Sequence, residues 1–326
     1  MSNAIEITSL RKSFSVKLKG KTTTVEAVRG ITLSVKSGEI FGFLGPNGAG
    51  KTTTLRMLTT LLPIDEGNAA ICGYDLVRQL KEVRRHIGYV SQLGGADWEA
   101  TARENLSLAG QLYGMNRHEA KERTKELLYI FELTELADRV VSTYSGGQKR
   151  RLEIALGMIN RPEVLFLDEP TTGLDPQNRA NLWEQIRRLQ EGGTTIFLTT
   201  HYLDEADALS NRLSIMDYGR IVAEGTPLEL KNQISGDVIQ IRFSNGRTKQ
   251  AKKLFEAMSF INGIRLEGEN IYLYAKNGAQ ALPRIFEILE AEEIQTQSVT
   301  ISTPSLDDVF LKQTGRLLRD VNGGAA

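Results

Sequence analysis

Apolar residues along the first two thirds of the chain fall into short runs that alternate with amphipathic stretches. After an apolar run at 39–44, Leu55, Leu58 and Leu62 recur at the spacing of one helical face, and Pro63 follows them. Similar apolar runs lie at 164–167, 195–198 and 213–216. Such runs are typical of parallel strands that are buried on both faces of a sheet. The pattern predicts an α/β fold with a mainly parallel sheet core covered by helices.

Two other patterns interrupt this alternation. Residues 5–35 contain short β-rich runs separated by glycines, which predicts antiparallel strands joined by turns. Residues 103–144 carry apolar side chains such as Leu127 and Phe131 at helical spacing, with many charges on the other side. We therefore expect an antiparallel β-subdomain at the start of the chain and a helical subdomain at about 93–160.

Beyond residue 236 the order of the elements changes. Strand, helix, β-hairpin, helix and strand are predicted at 238–243, 248–258, 264–274, 279–289 and 297–301. This split β-α-β-β-α-β order predicts a small α+β ferredoxin-like domain, and Ser305 with Asp308 has the spacing of a capping box at one more helix. A chain of 326 residues also exceeds the usual size of a single core. We expect two domains, at 1–232 and 236–326, the second serving dimerisation or regulation.

Composition narrows the classes of function. The 40 Lys and Arg balance the 40 Asp and Glu, which removes the electrostatic case for a nucleic-acid partner. Cys72 is the single cysteine, and the chain opens without a basic stretch followed by an apolar run, so we expect a cytoplasmic protein. No stretch approaches the roughly 20 apolar residues of a spanning helix, so any membrane role is expected to be peripheral.

A glycine-rich motif lies between a predicted strand and a predicted helix. Its residues, which fit G-x-x-x-x-G-K-[ST], are Gly45, Pro46, Asn47, Gly48, Ala49, Gly50, Lys51 and Thr52, followed by Thr53. Glycines let backbone N–H groups turn toward phosphates, Lys51 adds a positive charge and Thr52 supplies a hydroxyl for Mg²⁺. The alternative, a glycine-rich turn before a core helix, leaves this spacing unexplained. The motif predicts that ATP and Mg²⁺ bind here.

Two acids follow the apolar run at 164–167. Asp168 and Glu169 stand at the predicted carboxyl end of a parallel strand, beside the glycine-rich loop. Asp168 suits Mg²⁺ through water, and Glu169 suits the attacking water. In isolation the pair is typical of a solvated strand end. The motif at 45–52 favours instead the roles in Mg²⁺ binding and water activation.

A second glycine-rich segment precedes a helix that carries Leu152, Leu156 and Ile159 on one face. Its residues are Tyr144, Ser145, Gly146, Gly147 and Gln148. Taken alone, this segment could be only a helix cap.

With these motifs the chain resembles the ATP-binding cassette family over about residues 4–230. That family has a Walker A loop, a Q-loop, a signature near LSGGQ, a Walker B strand, a D-loop and an H-loop in this order. The Q-loop matches Gln92, the D-loop matches Asp175, and the H-loop matches His201. The signature here begins with Tyr144 in place of the common Leu.

The resemblance implies a P-loop NTPase cassette and assigns further roles. Gln92, Glu169 and His201 would serve catalysis, Gln92 would also contact Mg²⁺, and Phe14 would stack on adenine. For Phe14 a core position is an equal alternative, and for His201 a structural one remains open. Two copies would sandwich two ATP molecules, each closed by Ser145 and its neighbours from the other copy.

The end of the chain narrows the resemblance further. The segments 304–311 and 103–106 look like those of the daunorubicin-resistance type of exporter ATPase. Proteins of that type pair with a separate polytopic permease, so this chain would work at the inner face of the cell membrane in efflux of a drug or other hydrophobic compound. Trp98, after Gln92, is a candidate contact, with core burial as the alternative. Another class remains open, a soluble ATPase of this family that acts as a mechanical clamp.

Overall fold

A computed structural model describes residues 2–18, 21–234, 236–243 and 247–315. These residues form two compact units that divide between Pro227 and Leu228. The domain bounds at 1–232 and 236–326 stay a prediction, and the last part of the second, 316–326, lies outside the described residues. Among the residues described, no helix combines the length and the apolar character needed to cross a bilayer.

The first unit contains two sheets. Its strands are β1 Asn3–Leu18, β2 Lys21–Lys36, β3 Ile40–Leu44, β4 Glu66–Ile71, β5 Tyr74–Asp75, β6 Ile87–Val90, β7 Val164–Asp168, β8 Thr195–Thr200, β9 Arg212–Asp217 and β10 Arg220–Gly225. One sheet has the order β10-β9-β3-β8-β7-β6, parallel except for β10. The other has the order β2-β1-β4-β5 and is antiparallel. Both sheets confirm the predicted arrangement.

Helices cover the parallel sheet. They are α1 Lys51–Leu58, α2 Leu80–His86, α3 Ala102–Leu112, α4 Arg117–Ile130, α5 Gly146–Gly157, α6 Pro176–Glu191 and α7 Leu203–Leu209. The short α8, Pro227–Asn232, follows at the division between the units. Thr101 and Asn116 cap α3 and α4 through capping boxes, so both helices begin where a side chain satisfies first-turn N–H groups.

The central strands are buried on both faces, as their apolar runs predict. On one face Phe41 and Phe166 each lie with ring centroids 5.6 Å from Phe197. On the other face Ile196 and Leu198 pack among residues of α3 to α6. Because neighbouring positions on each strand point to opposite faces, two separate cores hold the sheet from both sides.

The second unit is a four-stranded antiparallel sheet with helices. Its elements are β11 Asp237–Phe243, α9 Thr248–Glu256, β12 Ile261–Glu267, β13 Asn270–Ala275, α10 Gly278–Ala291, β14 Thr296–Ser302 and α11 Leu306–Thr314. The strand order β12-β13-β11-β14 is that of a ferredoxin-like sheet. Phe243, Phe255 and Ile285 are fully buried in its core, and the capping box of Ser305 with Asp308 is present at α11. The predicted element order is confirmed.

Helix α5 lies unusually close to strand β6. A Cβ atom added at Gly88 would be 2.0 Å from the backbone oxygen of Gly157, and one added at Gly157 would be 2.7 Å from Val90 Cγ2. Neither backbone can move away without disturbing the core between them. Gly88 and Gly157 therefore set the distance between α5 and β6, the strand that leads to Gln92.

Replacement of Gly88 with alanine should destabilise the protein by about 1–3 kcal/mol, because the added methyl group overpacks the contact with α5. Gly95→Ala is the matched control, since a Cβ at Gly95 meets nothing within 4 Å. Urea unfolding of both variants measures the difference. Equal stabilities would show that the α5 to β6 distance is not fixed by this glycine.

Candidate functional site

The segments singled out in the sequence meet at one edge of the parallel sheet. Strands β3, β8, β7 and β6 are neighbours in this order, and each pair is parallel. Their carboxyl ends therefore lie at the same edge of the sheet. The glycine-rich loop follows β3, Gln92 follows β6, Glu169 follows β7 and His201 follows β8. In open α/β sheets, ligands bind in the crevice outside these ends.

The loop after β3 depends on glycine at two positions. Gly48 has φ +78° and Gly50 has φ +105°, a region that residues with a Cβ rarely adopt. A Cβ at Gly50 would also lie 2.4 Å from the backbone oxygen of Ala27. The loop turns tightly there and leads into α1, whose N-terminal N–H groups form an anion site.

Lys51 lies almost fully buried beneath this loop, with 4% of its surface exposed. Its Nζ donates to the backbone oxygens of Gly45 at 2.7 Å and Pro46 at 3.1 Å, and lies 3.6 Å from Glu169 Oε1. Burial lowers the pKa of Lys51, and the nearby Glu169 carboxylate opposes that shift. The ammonium group is thus held where the first turn of α1 begins.

Asp168 and Thr52 place two oxygen atoms that can bind a metal ion close together. Asp168 is 2% exposed, and its Oδ1 accepts from Thr199 Oγ1 at 2.6 Å and Thr52 Oγ1 at 3.2 Å. Mg²⁺ prefers one or two such oxygens with substrate phosphates and water for the rest. With its hydroxyl and carboxylate oxygens, the pair of Thr52 and Asp168 fits that requirement.

Four side chains converge on Glu169, those of Lys51, Gln92, Thr172 and His201. Its Oε2 accepts from Gln92 Nε2 at 3.1 Å and Thr172 Oγ1 at 3.3 Å. His201 Nδ1 lies 3.0 Å from the same oxygen, within ion-pair distance but without good hydrogen-bond geometry. Burial raises the pKa of Glu169, but the approach of His201 and Lys51 outweighs it, and the pKa lies below its ordinary value. Four side chains thus hold this carboxyl group at the carboxyl end of β7.

A pocket of about 630 Å³ opens over these groups. It is lined by Phe14, Ala27, Asn47, Gly48, Gly50, Lys51, Thr52, Thr53, Gln92, Glu169, Thr172 and His201. Phe14 is 37% exposed, so the alternative of a core position does not hold. Of the loop residues predicted to bind nucleotide, Gly45, Pro46 and Ala49 are buried and do not line this pocket.

The second glycine-rich segment lies elsewhere. Ser145 caps α5 through a capping box with Gln148, and buried Tyr144 donates its hydroxyl hydrogen to the backbone oxygen of Leu136. Residues 144–148 are all described, and none lines the pocket. Asp175 likewise caps α6 and lies outside the lining. Within one chain, the structure does not bring the two glycine-rich motifs together.

Three site residues were missed in the sequence. Thr199 donates to Asp168, and Thr172 donates to Glu169. The guanidinium of Arg150 donates to the backbone oxygens of Asp168 and Pro170, on either side of Glu169. A threonine directly after the apolar run at 195–198 is a signal that could have pointed to Thr199. Arg150 gave no signal, because basic residues after a helix cap are usually solvated.

Comparisons with known proteins agree with this geometry. Residues 28–172 match the ABC transporter family, and residues 225–314 match the C-terminal domain of DrrA1-3-like ATP-binding proteins. A dimeric ATP-binding cassette in a post-hydrolysis state, bound to ADP and Pi, superimposes with a TM-score of 0.61 at 26% identity. The match covers 68% of this chain and 98% of that one.

Curated relatives match nearly the whole chain. Daunorubicin resistance ATP-binding protein DrrA2 of Streptomyces coeruleorubidus is 41% identical over 89% of this chain and 90% of its own length. Linearmycin resistance ATP-binding protein LnrL of Bacillus subtilis is 36% identical over 93% and 97%. Nod factor export ATP-binding protein I of Burkholderia lata is 38% identical over 97% and 98%. The chain therefore belongs to the ABC transporter family, among its daunorubicin-resistance-type ATP-binding proteins, and it is an ATPase.

Proposed function

We propose that this chain binds ATP and Mg²⁺ in the pocket over Lys51 and Glu169, and that hydrolysis powers efflux of a drug or other hydrophobic compound through a separate membrane permease. The observation that carries the proposal is the position of the Glu169 carboxyl group, held among Gln92, Thr172 and His201 beside the glycine-rich loop. A carboxylate in that position can take a proton from an attacking water.

The residues divide the work of phosphoryl transfer. The backbone of the loop at 45–50 and the Lys51 ammonium hold the β- and γ-phosphates, and Thr53 follows on the first turn of α1. Thr52, Asp168 and Gln92 would hold Mg²⁺, which would supply positive charge to the phosphate oxygens. Glu169 accepts the proton of the water, and His201 contacts the γ-phosphate. Phe14, at the pocket wall, stacks on adenine.

A second copy of the chain completes the site. Ser145, Gly146 and Gly147 lie outside this chain's own pocket at the N-terminus of α5, a place where backbone N–H groups can bind an anion. In a dimer they would face the γ-phosphate of the ATP bound by the other chain. Their N–H groups would then add hydrogen bonds that exist only in the dimer, so ATP binding and dimerisation would be linked. The dimeric form of a solved relative supports this arrangement.

Export is the use of ATP that the relatives favour. The names of three of them specify resistance to daunorubicin, resistance to linearmycin and export of Nod factor. This chain would bind to a polytopic permease at the inner face of the cell membrane and drive it by ATP hydrolysis. Trp98, which follows Gln92 along the chain, is 52% exposed and not buried in the core. We expect it to contact the permease. The second domain would serve dimerisation or regulation.

Glu169→Gln should keep ATP binding but lower kcat by roughly a hundredfold or more, because glutamine keeps the shape of the side chain and cannot take a proton. The variant should accumulate an ATP-bound dimer on size-exclusion chromatography. Glu163→Gln, at the other end of β7 and 64% exposed, is the control and should keep full activity. Undiminished ATPase activity of Glu169→Gln would reject the assigned role.

Lys51→Ala should weaken ATP binding about tenfold or more, since it removes a charge-assisted contact to the phosphates. Titration with a fluorescent ATP analogue measures this affinity. Lys125→Ala, which removes an exposed charge on α4, controls for net charge. Equal affinities of the two variants would exclude Lys51 as a phosphate ligand.

A further inference from the structure

Arg150 is a buried charge within the first unit that the roles above do not use. It lies on α5, after the Ser145 cap, and its side chain is 7% exposed. Its Nε donates to Pro170 O at 2.7 Å, Nη1 to Ser91 O at 2.8 Å and Nη2 to Asp168 O at 3.1 Å. Glu153, one turn further along α5, neutralises it with Oε2 at 2.8 Å from Nη1. One guanidinium therefore joins three separate segments.

The three carbonyl groups have a specific relation to the site. Asp168 and Pro170 stand on either side of Glu169, and Ser91 stands immediately before Gln92. Gln92 and Glu169 are themselves joined by the 3.1 Å hydrogen bond between their side chains. Arg150 thus fixes the backbone at both ends of that hydrogen bond.

Both segments need such a restraint. Glu169 has φ +45°, a conformation that persists for a non-glycine residue only where its surroundings over-determine it. The turn after Ser91 is equally tight, because Ser91 Oγ donates to Gly94 O at 2.8 Å and a Cβ at Gly94 would lie 1.8 Å from Glu153 Oε1. The Arg150–Glu153 pair contacts both segments, the one at Glu169 and the one after Ser91.

We propose that Arg150 is a positioning residue for hydrolysis: it holds Gln92 and Glu169 in one geometry and ties both to α5, the helix that begins at Ser145. This inference rests on the proposed function and adds to it a physical link between the two glycine-rich motifs. A displacement of α5 at the dimer face moves the Gln92 and Glu169 backbones together.

Holding these three carbonyl groups at once requires a guanidinium group. Three carbonyl groups in different directions accept from three different nitrogens, and the planar fork of arginine supplies them at fixed angles. The ammonium of lysine is a single point on a flexible stem, so Arg150→Lys keeps the charge and loses the geometry. Stability and positioning can therefore be separated by comparison with another buried arginine.

Arg123 is the matched control. It is 5% exposed, donates to the backbone oxygens of Ile159 and Met158, and pairs with Glu126 at 2.8 Å, and none of these groups belongs to the site. Arg123→Lys and Arg150→Lys should lose similar thermal stability. Only Arg150→Lys should lower kcat, by tenfold or more, with the KM for ATP changed less than twofold.

A double-mutant cycle adds a readout that a purely structural role would not move. Gln92→Ala should lower kcat in the wild-type and Arg123→Lys backgrounds and have almost no further effect in Arg150→Lys, because the geometry of Gln92 is already lost. Additive effects, or equal kcat values for the two lysine variants, would overturn the inference while leaving the ATPase activity intact. Wild-type protein without ATPase activity would instead overturn the proposed function itself.

A second variant covers the case in which Arg150→Lys does not fold. Glu153→Gln preserves shape and leaves Arg150 without its carboxylate, so kcat should fall severalfold at an unchanged KM for ATP. Wild-type kcat in Glu153→Gln would also overturn the inference.

Discussion

The site depends on one constrained peptide, that of Glu169 at the carboxyl end of β7. Its positive φ turns the side chain toward Lys51, Gln92 and His201, while Asp168 before it faces Thr52. A residue in this conformation costs roughly 1–3 kcal/mol, so the surroundings must hold it in place. The backbone N–H of Glu169 donates to Thr199, and the carbonyls on either side accept from Arg150.

The parallel sheet makes this convergence possible. Glu169, His201 and the phosphate-binding loop follow three adjacent strands, so their positions are set by strand register rather than by long loops. The aromatic rings packed around Phe197 support that register from one face, and α5 packs closely on β6 from the other. Rigid elements thus place flexible side chains within hydrogen-bond distance of one carboxylate, which is the preorganisation that catalysis needs.

Much of this arrangement could be predicted from sequence because it depends on local patterns. Apolar runs predict the central strands, the spacing of Gly45 to Thr52 predicts the phosphate loop, and the element order beyond 236 predicts the ferredoxin-like sheet. The role of Arg150 could not be predicted, since the three groups it joins to α5 are backbone carbonyls 18 to 59 residues away, and backbone acceptors leave no trace in residue identity. Phe14 needed the fold as well, because an aromatic on a β-strand is equally suited to a core or a pocket wall.

The central claim is that each chain supplies half of every ATP site. It is tested most directly by mixing two variants: Lys51→Ala, which lacks the phosphate charge, and Gly146→Asp, which puts a carboxylate at an exposed position where a Cβ meets only Leu174, at 3.8 Å. Each variant alone should hydrolyse little ATP. In a mixed dimer one site combines an intact Lys51 with an intact Gly146, so the mixture should hydrolyse ATP well above the sum of the separate variants. A mixture no more active than its components would contradict the shared site.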